Sequence, residues 1–178
     1  WGPGFLGVDL PTDSGIVPEW MDEINASIVD LLTDAVAALE PVDLYATHVQ
    51  TGYDGFAARD SRDPFVFSDL VTALRVVRAG ETPSTDTTLG VFVNWHSHPE
   101  AVGGDNRVIT SDFPHYLRVA LEQGLDAGAA EGFPARPAAG GVAVYASGAV
   151  GGLLTPLSVP ATDRDGASFL DDGYEKAR

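Results

Sequence analysis

The segment VFVNWHSHPEAVGGDNRVITSDFPHYLRVALE, residues 91–122, sets the expectation for the fold of the whole chain. It begins with an apolar run typical of a buried strand, which is predicted over Leu89–Trp95. Pro99 ends this strand because it lacks a backbone N–H. A turn rich in glycine and acid follows, and a helix is predicted over Asp112–Gln123 with Pro114 confined to its first turn.

His96 and His98 are the candidate metal ligands of this segment. If strand alternation continues to residue 98, one face carries Val91, Val93, Trp95 and Ser97, and the other carries Phe92, Asn94, His96 and His98. The two imidazoles, about 7 Å apart by strand rise, would then converge on one ion or one substrate group at a strand end, where α/β sheets bind ligands. A bare His-x-His also fits hydrogen-bonded or surface histidines, and by itself it does not supply the three protein ligands that a catalytic zinc needs.

The rest of the chain predicts a helix and further strands around this segment. Apolar residues recur at spacings of three and four, so a helix is predicted from Pro18 to just before Pro41. Strands are predicted at Asp43–Thr51 and Val142–Ser147, whereas residues 68–78 fit either a strand or a helix by periodicity. The order of these elements predicts an α/β fold, a layered sheet-and-helix domain.

Length and composition limit the class of protein. A chain of 178 residues suits one domain, so we expect a single domain over residues 1–178 with a polar tail over residues 158–178. The formal net charge of −16 repels phosphate backbones, which excludes nucleic acid as an expected partner. The chain has no cysteine, so His, Asp, Glu and Tyr are the side chains left to hold a metal.

The segment at residues 91–122 resembles the neutral/alkaline, non-lysosomal ceramidase family, and its bacterial members in particular. The matching residues are an Asn-aromatic-x-x-His-Pro run and a Ser-Asp pair opening a helix with an aromatic: Asn94, Trp95, His98, Pro99, Ser111, Asp112 and Tyr116. The stretches WGPGFLG, residues 1–7, and VAVYASGAVGGLLTP, residues 142–156, are similar to two further family segments. The resemblance favours a strand at residues 68–78. It also implies that the chain is a fragment of a larger catalytic domain.

The resemblance implies a zinc site and a nucleophile turn. His98 matches the zinc-binding histidine before proline, while His96 occupies a position that is usually small or apolar and is the second, weaker metal candidate. At the turn, Thr155 stands where the family has its nucleophilic serine, and Gly151 and Gly152 are candidates for binding substrate or an oxyanion through their backbone N–H groups. The family's aspartate is missing from this turn. Its early Thr-His-x-His motif and its later Glu and Tyr ligands have no counterpart in the sequence.

The resemblance implies a Zn²⁺-dependent hydrolase that cleaves the N-acyl bond of ceramide or a related N-acyl lipid. The expected partners are an N-acyl lipid or other small amide, presented in some cases at a membrane surface, and the expected location is secreted or periplasmic. The departures from the family motifs keep an alternative open, a non-catalytic extracellular structural or assembly module on the same fold. That module would self-associate or bind the missing remainder of the chain.

Overall fold

The structure is a computed structural model, and it describes residues 17–51, 58–60, 63–64, 66, 68–126, 134–149, 154–159, 161–162, 168–169 and 173–177. The chain divides into two compact units, Trp1–Glu40 and Pro41–Arg178. The expectation of a single domain stays a prediction. The described elements are α1 (Pro18–Ala37), β1 (Val42–Gln50), β2 (Arg59–Asp60), β3 (Leu70–Arg78), β4 (Thr88–Trp95), α2 (Phe113–Gln123), β5 (Val142–Ser147), β6 (Leu154–Thr155), β7 (Ala161–Thr162), β8 (Ser168–Phe169) and α3 (Tyr174–Ala177).

The first unit contains α1, and its bounds follow from the sequence. Pro18 lies at the start of the helix, where a backbone N–H has no intrahelical partner to lose. The first turn closes when the N–H of Met21 donates to the carbonyl oxygen of Val17 over 3.1 Å. The helix ends at Ala37, before Pro41, as predicted. None of the helices that the structure describes is long and apolar enough to span a membrane.

The second unit is built on a four-stranded sheet in the order β1-β3-β4-β5. The first two pairings are antiparallel, and β4 pairs with β5 in parallel. A parallel pair needs a crossover connection, which the chain between β4 and β5 makes through α2. The predicted strands and helices are confirmed, and residues 70–78 form a strand. The fold class is α/β, as expected.

The two faces of this sheet differ in burial as alternation requires. Val91, Val93 and Ala143 are buried, whereas Phe92 and Val144 on the opposite face are 41% and 49% exposed. Helix α2 packs on the buried face. The ring of its first residue, Phe113, meets Trp95 of β4 and Tyr145 of β5 edge-on, with centroid separations of 5.2 and 5.3 Å. Each such pair contributes about 0.5–1.5 kcal/mol beyond its area of burial.

Helix α2 is also bonded to the backbone of β5. The guanidinium of Arg118 donates to the carbonyl oxygen of Ala143 over 2.9 Å, and the carboxylate of Glu122 accepts the N–H of the same residue over 2.9 Å. The two side chains lie one turn apart and form an ion pair at 3.5 Å. They satisfy backbone groups of a strand edge that would otherwise bond to water or to another strand. These bonds therefore fix the position of α2 along the direction of β5.

Strand β4 stops at Trp95, three residues before His98. Residue 96 lies in a bend, so the expected alternation does not extend to the two histidines, and strand geometry does not place them on a common face. The physical reason is a change of partners beyond Trp95. The backbone N–H of Gly148 donates the last ladder bond, to the carbonyl oxygen of Trp95 over 2.8 Å. The carbonyl oxygen of Ser97 accepts hydrogen bonds from the side chains of Tyr145 and Ser147 and not from the backbone of β5.

The C-terminal segment returns to the turn that follows the histidines. The N–H of Gly173 donates to the carbonyl oxygen of Ala101 over 2.9 Å. Ala177 of α3 is buried against Ala101 and Val102, and Phe113 packs beside this group. Part of the predicted polar tail thus covers a small apolar cluster of the second unit.

Candidate functional site at the carboxyl ends of two parallel strands

The histidine segment lies at one end of the parallel pair of the sheet. Trp95 and Ser147 are partners in the register of β4 and β5, so the two strands end side by side. The segments that leave them, His96–Pro99 and Gly148–Ala149, are therefore neighbours although about fifty residues separate them in sequence. The carboxyl ends of parallel strands are the usual position of ligand sites in α/β folds.

His96 is bonded to the segment that follows β5. Its Nδ1 atom accepts the backbone N–H of Ala149 over 2.6 Å. Two residues earlier, on β4, the side-chain amide of Asn94 donates to the carbonyl oxygen of Ala146 over 3.2 Å. Asn94 near the end of β4 and His96 just after it thus both bond to the backbone at the end of β5.

Gly148 supplies the space that the imidazole occupies. A Cβ atom at this position would overlap with Nδ1 of His96 and would lie 2.6 Å from its Cε1 and 2.9 Å from the side-chain oxygen of Asn94. Real Cβ atoms do not make such contacts, so any larger residue at 148 would have to displace the ring. Glycine is needed here for close approach of a side chain to the backbone.

The carbonyl oxygen of Ser97 is held by two hydroxyl groups of β5. Tyr145 donates to it over 2.8 Å and Ser147 over 3.2 Å, and Ser97 itself is fully buried. Burial raises the pKa of the Tyr145 hydroxyl above its ordinary value, and its hydrogen bond with Ser147 opposes part of that rise. The backbone between the two histidines is therefore fixed to β5 by neutral hydroxyl donors.

Asp112 fixes the other end of the turn. Its buried carboxylate accepts the backbone N–H groups of Ala101 and Val102 over 2.9 and 2.8 Å, and that of Phe113 over 2.7 Å. The last of these bonds begins α2, so Asp112 joins the turn after Pro99 to the helix. Asp112 has φ 55°, which is unusual for a residue other than glycine. Its carboxylate therefore serves backbone donors of the chain itself.

The other predicted site residues occupy different positions. His98 is half-buried, and its carbonyl oxygen accepts the N–H of Glu100 over 2.9 Å. Thr155 is buried on β6, which pairs with β2, and its hydroxyl accepts the N–H of Leu157 over 3.0 Å. Gly151 and Gly152 lie outside the described residues. Their role in binding substrate and the role of Thr155 as a nucleophile stay predictions.

The described residues do not form a complete metal site. Within that part of the chain, no three His, Asp or Glu side chains come together as a group that would hold a metal ion. His96 uses Nδ1 as an acceptor, and Asp112 uses both carboxylate oxygens. The described residues therefore do not by themselves fit a zinc site, and the assignment of His98 and His96 as ligands stays a prediction.

Comparison with solved structures finds a similar fold in known proteins. The crystal structure of neutral ceramidase from Pseudomonas aeruginosa matches 84% of this chain with a TM-score of 0.55 and 18% sequence identity. The fold is ceramidase-like. The chain spans 23% of the length of that ceramidase. A second structure, a ceramidase complexed with C2, matches 68% of this chain and 18% of its own length, with 17% identity and a TM-score of 0.47. No protein-family model and no curated protein sequence matches the chain.

Sequence reasoning missed several residues that shape this site. The predicted buried strand Val142–Ser147 contains the hydroxyl donors Tyr145 and Ser147, and their spacing of two places them on one face of it, but the sequence does not identify their acceptor. Phe113, which packs between Trp95 and Tyr145, is not among the predicted site residues. The capping role of Asp112 had a signal in the sequence, since an acid directly before a helix commonly accepts backbone N–H groups.

Proposed function

We propose that this chain is part of a ceramidase-like hydrolase that cleaves the N-acyl bond of ceramide or a related N-acyl lipid. The observation that carries the proposal is the position of the His96–Pro99 segment. It follows β4 directly, at the carboxyl end of a parallel pair, in a fold similar to that of neutral ceramidase. A histidine-proline segment at that position is the feature that the sequence shares with the family.

The proposal gives His98 the role of a zinc ligand and Thr155 that of the hydroxyl nucleophile. The other zinc ligands would come from outside the described residues, because those residues supply no group of three. Gly151 and Gly152 would donate backbone N–H groups to the developing oxyanion. A secreted or periplasmic location and a substrate presented at a membrane surface belong to the same proposal.

The experiment that tests this function is hydrolysis of a substrate panel by the intact protein. The panel contains ceramides of several acyl lengths, other N-acyl lipids, simple amides and simple esters. We expect release of the fatty acid from N-acyl lipids, loss of that activity after removal of metal with a chelator, and recovery on addition of Zn²⁺. Turnover of esters alone would support a hydrolase activity but would reject an amide as its substrate.

Metal analysis and size-exclusion chromatography of the same sample, together with the activity assay, separate this proposal from the alternative. A zinc-containing, active protein supports the hydrolase. A protein that holds no metal, turns over no member of the panel and self-associates supports the non-catalytic assembly module and rejects the hydrolase.

A further inference from the structure

His96 has a side-chain bond that the resemblance to ceramidases does not explain. We propose that His96 is a positioning residue and not a metal ligand: its Nδ1 atom holds the backbone N–H of Ala149 and so fixes the direction in which the chain leaves β5. Ala149 precedes Gly151 and Gly152 by two and three residues in the sequence. The catalytic consequence rests on the proposed function, whereas the hydrogen bond itself does not.

The chemistry of imidazole supports this assignment. A ring nitrogen that accepts an N–H must present its lone pair, so in the neutral ring the proton lies on the other nitrogen, Nε2. A metal ligand also needs a free lone pair. With Nδ1 occupied by Ala149 and Nε2 protonated, the ring has no lone pair left for zinc.

The surroundings of His96 are shaped for this bond. Position 148 has no side chain, and a Cβ atom there would overlap with the same Nδ1 atom. The next residue, Ser97, is held through its carbonyl oxygen by the hydroxyls of Tyr145 and Ser147. The backbone of the histidine segment is thus fixed to β5 next to the ring, which limits where Nδ1 can lie. A histidine at this position is matched by a glycine on the facing segment.

The decisive comparison is His96→Asn against His96→Ala in the intact protein. The side-chain oxygen of asparagine is separated from the backbone by the same number of bonds as Nδ1, so it can accept the N–H of Ala149, but it has no counterpart of Nε2. If His96 positions the turn, His96→Asn keeps zinc and keeps kcat within about threefold of the wild type. His96→Ala keeps zinc but loses about tenfold or more in kcat, since a small misplacement near the reacting atoms is costly.

A structural readout tests the bond independently of activity. We expect the ¹⁵N spectrum of His96 to show the proton on Nε2, and we expect the amide proton of Ala149 to exchange at least about fivefold faster in His96→Ala than in the wild type or His96→Asn. If the wild type has no amidase activity, the proposed function fails, and these spectra alone decide the positioning role. A proton on Nδ1, or exchange at Ala149 unchanged in His96→Ala, would overturn it.

The variant Gly148→Ala provides a second approach to the same bond. The added methyl group would displace the imidazole, so Gly148→Ala is expected to accelerate exchange at Ala149 and lower kcat as His96→Ala does. Because both changes remove one interaction, the double variant is expected to be no worse than the more damaged single variant. Additive losses in the double variant, or loss of zinc in both His96→Ala and His96→Asn, would show that His96 acts elsewhere, in the latter case as a ligand.

Discussion

The hydroxyl of Tyr145 donates to the carbonyl oxygen of Ser97 over 2.8 Å, which joins β5 to the backbone between His96 and His98. The bond replaces a ladder bond at the point where β4 has ended. Ser147 donates to the same oxygen over 3.2 Å. The position of the histidine segment therefore depends on two hydroxyl groups whose residues are two apart on the neighbouring strand β5.

Tyr145→Phe is predicted to remove the stronger of these bonds with little change in packing. We expect the free energy of unfolding to fall by about 1 kcal/mol, as for a typical intramolecular hydrogen bond, measured by urea denaturation. Ser147→Ala is the matched variant and is expected to cost less, because its bond is longer and its side chain is exposed. A larger loss in Ser147→Ala than in Tyr145→Phe would reverse this assignment.

The raised pKa of Tyr145 predicts a pH dependence of stability. Burial raises the pKa in the folded protein above the unfolded value of about 10. Above that pH the folded state binds more protons than the unfolded state, so stability is fully present below about pH 10 and falls as the pH rises through the folded pKa. The free energy of unfolding is to be measured from about pH 8 to about pH 11, a range that includes the ordinary tyrosine pKa of about 10. Over this range it should fall more steeply in the wild type than in Tyr145→Phe. Parallel curves for the two proteins would contradict the prediction.

Asp112→Asn is predicted to loosen the turn between Pro99 and α2. The carboxylate accepts three backbone N–H groups, and asparagine replaces one acceptor oxygen with a donor. We expect a loss of about 2–3 kcal/mol in the free energy of unfolding, because a buried N–H would lose a charged partner. Asp105→Asn, on an exposed residue of the same turn region, is the control and should change stability by less than about 0.5 kcal/mol. Equal effects of the two substitutions would show that Asp112 is not the anchor of the turn.

Arg75→Lys is predicted to destabilise the connection between β3 and β4. The guanidinium donates to the hydroxyl of Thr88 from two nitrogens, over 2.9 and 2.7 Å, and to the carbonyl oxygens of Ser84 and Ala139 over 3.1 and 2.7 Å. Lysine keeps the charge but cannot reproduce this planar set of donors. We expect a loss of about 1–2 kcal/mol by thermal or urea denaturation. The control is Arg107→Lys, on an exposed residue, which should unfold as the wild type does.

The fold was predictable where hydrophobic periodicity acts over short distances. The apolar run Leu89–Trp95 predicted β4, and the prolines Pro18 and Pro41 marked the limits of α1. Residues 70–78 could not be decided in this way, because their apolar positions fit both periods. Their strand conformation comes from pairing with β1 on one side and β4 on the other, which is a tertiary effect.

The site was less predictable because its contacts are long-range. The pattern His-x-His suggested two side chains on one strand face, but the strand ends at Trp95 and His96 bonds to Ala149, 53 residues away. No local rule predicts which backbone N–H a histidine will accept. The two-residue spacing of Tyr145 and Ser147 was visible in the sequence, but their common acceptor, Ser97, became identifiable only once the parallel pairing of β4 and β5 was known.

The most direct test of the hydrolase proposal is the zinc content and amidase activity of His98→Ala in the intact protein. His48→Ala is the matched control, since His48 is exposed on β1, two strands away from β4. We predict about one zinc ion per chain in the wild type and in His48→Ala, as for a catalytic zinc site, and loss of both zinc and N-acyl hydrolysis in His98→Ala. Retention of stoichiometric zinc and of turnover in His98→Ala would contradict the assignment of the site to the carboxyl end of β4.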